Sequence, residues 1–178
     1  MAEKVAELAP GDLNAVYFAN SGSVANDSAI RMLHHYNIRK GKPEKNKVLS
    51  RHGAYHGSTH LAMALTTPAY SEGWHCASEL VHHIRAPHHW REGDGMTEAE
   101  FLDALAEDLT QSIEHLGAEN ICAFIAEPIQ GAGGVIAAPA GYHRRMQDIC
   151  RAYDIKYVAD EVVTAFGRLG HFFASEAV

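Results

Sequence analysis

Apolar residues along the chain fall into two patterns: short unbroken runs and longer stretches at helical spacing. Ala15–Ala19, Val48–Ser50, Leu80–Ile84, Ile121–Ala126 and Ile155–Ala159 are runs of strand length, bounded by turn-forming or polar residues. Between them, Ala25, Ala29, Met32, Leu33 and Tyr36 share one face of a predicted helix. Phe101, Leu102, Leu105 and Leu109 line another, opened by Thr97 and Glu100 at capping-box spacing. Tyr142, Met146, Ile149, Cys150 and Tyr153 line a third. Residues 1–9 form a short helix stopped by Pro10-Gly11, and small residues after Gly57 extend a helix to about Thr66. Residues 68–95 read as a long loop broken only by the Leu80–Ile84 strand.

Strands that are apolar on both faces and alternate with helices predict an α/β fold. Its architecture is three-layer α/β/α, with helices covering both faces of a mostly parallel sheet. The length of 178 residues suits one domain with a sizeable core. A net charge of -7, spread along the chain, argues against nucleic acid or an acidic membrane surface as partner. No apolar run approaches the roughly 18 residues of a membrane span. Cys76, Cys122 and Cys150 make no C-x-x-C pair, and the first residues lack a secretory leader, so reduced thiols in a cytoplasmic setting are expected.

Three predicted strands end in groups able to meet a ligand. Asn20-Ser21-Gly22-Ser23 joins a strand to a helix N-terminus, where free amides and the helix dipole favour an anion such as phosphate. The same turn reads as an ordinary serine N-cap, and on this turn alone that is the better reading. Ile121–Ala126 ends in Glu127, and Ile155–Ala159 ends in Asp160-Glu161. A carboxylate at the end of a buried strand is costly unless a cation or several donors meet it, and ligands of open α/β sheets bind at that edge. Each acid taken singly could instead be solvated or cap a turn. Tyr55-His56-Gly57 places an aromatic ring in the same cleft, or else a core tyrosine beside a satisfied histidine. The pairs His34-His35, His82-His83 and His88-His89 have no chelating helical spacing, and no metal is expected.

Taken in order, Asn20-Ser21-Gly22-Ser23-Val24-Ala25-Asn26-Asp27, Ala54-Tyr55-His56-Gly57, Glu127-Pro128-Ile129-Gln130-Gly131-Ala132-Gly133-Gly134 and Asp160-Glu161-Val162 resemble the class III pyridoxal-phosphate aminotransferases. Residues 160–173 are most similar to the branch that moves amino groups between amines or ω-amino acids and pyruvate. The resemblance implies a fold-type-I large domain, here incomplete, binding pyridoxal 5'-phosphate, with a small amino donor and a keto acid as substrates. Asp160 would pair with the protonated pyridine nitrogen, which keeps the ring an electron sink. Gly22 and Ser23 would hold the phosphate, Tyr55 would stack on one ring face, and Val162 would pack on the other. His56 and Glu127 would complete the cofactor-binding set.

The sequence departs from the family pattern at three places. Val24 replaces a frequent glutamate, with little effect expected. Ala132 stands where ornithine and γ-aminobutyrate transaminases carry a glutamate, which shifts the expected donor toward amines and other ω-amino acids. The family's Schiff-base lysine lies beyond the segment matching Asp160-Glu161-Val162, and none of Lys4, Lys40, Lys42, Lys45, Lys47 and Lys156 has a matching context. Residues 1–178 are therefore expected to be a partial large domain without the catalytic lysine, the N-terminal segment or the small domain. Complete family members are expected to be homodimers. A cofactor-binding module without chemistry, and a purely structural piece with exposed apolar surface, are the alternatives.

Overall fold

A computed structural model describes residues 1–177. In chain order the elements are α1 (Ala2–Leu8), α2 (Gly22–Arg39), β1 (Lys47–Arg51), α3 (His60–Leu65), α4 (Pro68–Ser71), β2 (Val81–Ile84), α5 (His89–Glu92), α6 (Glu98–Leu116), β3 (Ile121–Ala126), β4 (Ile129–Gln130), β5 (Ile136–Ala137), α7 (Tyr142–Ala152) and β6 (Lys156–Ala159). Strands β2-β1-β3-β6 form one sheet in that order, with every pairing parallel. Strands β4 and β5 form a small antiparallel hairpin just after β3.

Alternation along the strands sorts the core into two halves. Leu49, Phe124 and Ala126 face α6 and α7, where they meet Phe101, Leu105, Leu109, Met146 and Cys150. Val48, Ala123 and Ile125 face the other way, onto Ile30 of α2 and Leu61 and Leu65 of α3. The result is the expected three-layer α/β/α arrangement around a parallel sheet. Helix α6 starts where its capping box predicts, with the Thr97 hydroxyl accepting from the Glu100 amide and the Glu100 carboxylate accepting from the Thr97 amide. No helix among the described residues is long and apolar enough to cross a membrane.

The structure corrects four sequence-based expectations. Residues 15–19 form no strand: no other described strand pairs with them, and without a ladder partner an extended run keeps Tyr17 and Phe18 exposed. Helix α2 buries Asn26, Ile30 and Asn37, while Met32 and Tyr36 from the predicted face point outward. Periodicity missed this because both buried asparagines are paid for by specific acceptors, Asn37 donating to the Lys45 carbonyl and Asn26 to the site described below. The 68–95 region holds two single-turn helices and a 3-10 turn at Ser78–Leu80 as well as β2, so the loop is broken at four places rather than at one strand alone. Strand β6 is an edge strand with half-buried Tyr157 and Val158, and among the described strands only β3 is buried along its whole length.

Because all four strands run the same way, β1, β3 and β6 deliver their last residues to one edge. Ala126 pairs with Ala159, so Glu127 and Asp160 leave the sheet side by side. The N-terminus of α2 and the turn before α3 meet them there.

Candidate functional site

Asp160 is the most connected side chain at this edge. Its Oδ2 lies 2.7 Å from His56 Nδ1 and accepts from Asn26 Nδ2 at 2.8 Å, while its Oδ1 accepts from the Val162 amide at 3.1 Å. The carboxylate is buried. Burial alone would raise its pKa, but the hydrogen bond and charge of His56, with the amides of Val162 and Asn26, outweigh that and hold it below the usual carboxylate range. Asn26 also donates to the His56 carbonyl at 2.8 Å, and the His56 amide donates to Thr66 Oγ1 at 2.9 Å. The histidine is thus held at three points, while its Nε2, also buried, has no hydrogen-bond partner.

Next to it stands the start of α2. Ser21 caps the helix, its hydroxyl accepting from the Val24 amide at 3.2 Å and its carbonyl from the Ala25 amide at 3.0 Å. The amides of Gly22 and Ser23 precede any carbonyl the helix could offer them and point out of its positive end. Both readings of this turn therefore hold together: a serine cap, and an open helix N-terminus at the sheet edge. Gly57, at φ +132°, lies so close to Ser23 that a β-carbon there would collide with the Ser23 backbone at 2.8 Å. Ser23 Oγ in turn accepts from the Ser58 amide at 3.2 Å. Gly22 is packed by Val162, whose Cγ2 would lie 2.7 Å from a β-carbon added at Gly22.

Glu127 turns back under the Tyr55 loop. Its Oε1 accepts from the Tyr55 amide at 3.1 Å and its Oε2 from the Gly131 amide at 3.0 Å, which fixes both the loop and the β4–β5 hairpin. Burial raises its pKa, a shift that these two amides, His56 and Arg51 partly oppose. The Tyr55 ring and the Val162 side chain are left substantially exposed, 44% and 69% respectively, with Tyr55 meeting Tyr70 edge to face at 5.9 Å between ring centres.

The structure thus draws Gly22, Ser23, Tyr55, His56, Glu127, Asp160 and Val162 to one edge. Asn26 and Thr66 have no role that the sequence alone assigns, yet they hold Asp160 and His56; Asn26 lies in the Asn20–Asp27 run, and its spacing from the cap is the available signal. Glu161 is separate from the site. Its carboxylate accepts from the amides of Ala174 and Ser175 at 2.6 and 2.9 Å and from the hydroxyls of Ser175 and Thr164 at 2.6 and 3.1 Å, pinning the following loop. Of the lysines, Lys47 and Lys156 open β1 and β6 at the opposite sheet edge, Lys42 and Lys45 pair with Asp154, and Lys4 pairs with Glu7 on α1.

This chain belongs to the class-III aminotransferase family, whose model matches residues 1–178. It is 45% identical over 167 residues to γ-aminobutyrate transaminase 1, mitochondrial, of Oryza sativa, covering 93% of this chain and 32% of that protein. It is 43% identical over 178 residues to putrescine–pyruvate aminotransferase of Pseudomonas aeruginosa, covering 99% of this chain and 39% of that protein. Among solved structures, an (S)-enantioselective ω-transaminase from Thermomicrobium roseum superposes with a TM-score of 0.95 at 42% identity, covering 98% of this chain and 39% of that one. An ω-transaminase from Pseudomonas jessenii in complex with PMP superposes at 0.93 with 44% identity, over 98% of this chain and 39% of that one. The chain therefore spans about a third to two fifths of the length of the relatives it matches.

Proposed function

We propose that residues 1–178 are the cofactor-holding part of an aminotransferase large domain, and that the whole protein moves an amino group from an amine or ω-amino acid to a keto acid such as pyruvate. The observation that carries this is the state of Asp160. A carboxylate offers about four lone-pair positions, and three are filled by His56, Asn26 and Val162. One remains on Oδ1, with an ionised acid behind it, as a cationic ring N–H requires.

The other residues fit pyridoxal phosphate as well. The Gly22 and Ser23 amides face outward where only a small loop fits, because Gly57 has no room for a side chain. In this reading Gly22 and Ser23 hold the phosphate, Asp160 the ring nitrogen, and Tyr55 and Val162 the two ring faces. Glu127 holds Tyr55 in place, and His56 with Asn26 orients Asp160. When bound, the cofactor supplies the electron sink for removing a proton from the carbon that carries the amino group. Asp160, kept ionised, holds the proton on the ring nitrogen that this requires. His56, Asn26 and the Val162 amide prevent the carboxylate from rotating, and the Val162 side chain would cover one ring face of a bound cofactor. The Schiff-base lysine is supplied from outside these residues, as are the N-terminal segment and the small domain; the complete protein acts as a homodimer in the cytoplasm.

Titrating the purified chain with pyridoxal phosphate and then adding borohydride tests the reading. A saturable absorbance change with no single lysine trapped is expected. Absence of any saturable change, or stoichiometric trapping at one of the six lysines, would sink it. For the whole protein, putrescine, β-alanine and γ-aminobutyrate are the donors to compare with pyruvate. The last belongs in the panel despite Ala132, since a relative at 45% identity carries that substrate in its name.

A further inference from the structure

Arg51, the last residue of β1, is the largest fully buried side chain in the structure, with 1% of its surface exposed. A buried guanidinium normally meets a carboxylate, yet no acid among the described residues lies within ion-pair distance of it. Its Nη2 donates at 2.7 Å to the backbone carbonyl of Glu127, its Cζ lies 5.7 Å from the centre of the Tyr142 ring, and its Nε has no acceptor. A second bond runs back from the same hairpin, Gln130 Nε2 donating to the His52 carbonyl at 3.0 Å. The ends of β1 and β3 are thereby stitched together in both directions. The stitch is at Glu127, whose carboxylate holds the amides of Tyr55 and Gly131.

We propose that Arg51 is a positioning residue of the cofactor site: it clamps the Glu127 backbone, and through the Glu127 carboxylate it sets the place of Tyr55. The consequence for the cofactor rests on the reading of Tyr55 given above, whereas the clamp itself is a property of the chain. A cation left without an acid partner is expensive to bury, and a purely packing role would be met more cheaply by leucine or methionine. The guanidinium contributes a fixed fork and a positive charge at one strand end. That charge also opposes the rise that burial imposes on Glu127, alongside His56 and the Tyr55 and Gly131 amides.

The test uses the purified chain with Arg51→Met, which removes both fork and charge, and Arg51→Lys, which keeps the charge and remains available should the first variant not fold. Amide hydrogen exchange is read at Tyr55 and Gly131 against Phe124 and Ile125 in β3, and the Glu127 carboxyl is titrated by carbon NMR. In either variant Tyr55 and Gly131 are expected to exchange at least tenfold faster while the β3 amides hold. The Glu127 titration is expected to move upward in Arg51→Met and to stay closer to the wild type in Arg51→Lys. Equal changes at all four amides, or an unmoved Glu127 titration in the folded Met variant, would overturn the proposal. Pyridoxal phosphate titrations of the same samples separate the two readings. Faster Tyr55 exchange in a chain whose wild type binds no cofactor supports the clamp and removes the proposed function; binding that persists unchanged while Tyr55 stays protected removes the clamp alone.

Discussion

Asp160 and His56, 104 residues apart in sequence, meet through a 2.7 Å contact between Oδ2 and Nδ1, and both are almost completely buried. Asn26 bridges the pair, giving one hydrogen of its amide to the Asp160 carboxylate and the other to the His56 carbonyl. In this way α2, the Tyr55–Gly57 loop and the end of β6 share one polar knot. Except at His56 Nε2 its members satisfy one another, so removing any one of them leaves a buried partner unpaired.

Asp160→Asn keeps the shape but turns an acceptor into a mixed group, so its amide confronts the Asn26 amide or the Val162 N–H. A stability loss of about 2 kcal/mol is expected, in the range for hydrogen bonds to a buried charged group. Urea unfolding of the purified chain measures it. Affinity for pyridoxal phosphate should fall at least tenfold. Wild-type-like stability and affinity together would show that the carboxylate charge is unimportant here.

Gly22 and Gly57, which flank Ser23 at the start of α2, should respond unequally to alanine. At Gly57 the backbone has φ +132° and the added carbon meets the Ser23 backbone, which cannot swing away. Strain and overpacking together suggest a loss of about 3 kcal/mol. At Gly22 the obstacle is the end of the exposed Val162 side chain, which can rotate, and the residue opens a helix. There a change within about 1 kcal/mol is expected. The order Gly57→Ala well below Gly22→Ala in denaturant midpoint checks the argument, and the reverse order refutes it.

His143 leads the pH dependence, with His82 and His83, also depressed by burial, acting in the same direction. On α7 it bridges the Pro128 carbonyl, 2.9 Å from Nε2, and the Tyr157 hydroxyl, 2.7 Å from Nδ1. Burial first, and the Arg51 charge second, push its pKa down to about 4. The unfolded chain therefore binds a proton that the folded protein refuses between about pH 6.5 and pH 4, and stability falls as pH drops through that window. The full loss is of order 3 kcal/mol, levelling off below pH 4, where both states are protonated. Asp160 acts in the same direction lower down, since its depressed pKa makes its stabilisation vanish only as pH falls through the carboxylate range. His143→Gln keeps a donor and an acceptor and should flatten the slope between pH 6.5 and 4. An unchanged slope would place the titration elsewhere.

The sheet was legible because β3 is an unbroken apolar run flanked by shorter strand-length runs, and α6 because its capping box and apolar stripe agree. The site was legible by another route. Ser21–Ser23, Glu127 and Asp160 stand where strands end, and a parallel sheet brings strand ends together whatever their separation in sequence. What periodicity could not show was the face of α2. Asn26 and Asn37 look like surface residues until their acceptors, Asp160, the His56 carbonyl and the Lys45 carbonyl, are known, and those lie on other elements. Residues 15–19 misled for the converse reason: their composition suits a strand, but strand formation depends on a neighbour that composition does not reveal. Arg51 was silent because a lone arginine at a strand end carries no pattern.

Glu161 provides the last prediction, since the neighbouring acids Asp160 and Glu161 divide their work. Asp160 faces the site, whereas Glu161 takes four donors from Thr164, Ala174 and Ser175 and ties residues 161–175 into a closed loop. Several of the loop's apolar side chains, Val162, Val163 and Phe166, are exposed, so its order depends heavily on these polar ties. Glu161→Gln offers an amide in place of one acceptor oxygen and leaves either the Ala174 or the Ser175 donors opposed. Faster hydrogen exchange at the Ala174 and Ser175 amides is expected, with new proteolytic cleavage between residues 163 and 175. The Asp160–His56–Asn26 contacts use none of these groups, so exchange at the His56 amide should be unaltered. If His56 loosens together with Ala174, the two acids act as one unit and the division of labour drawn here is wrong.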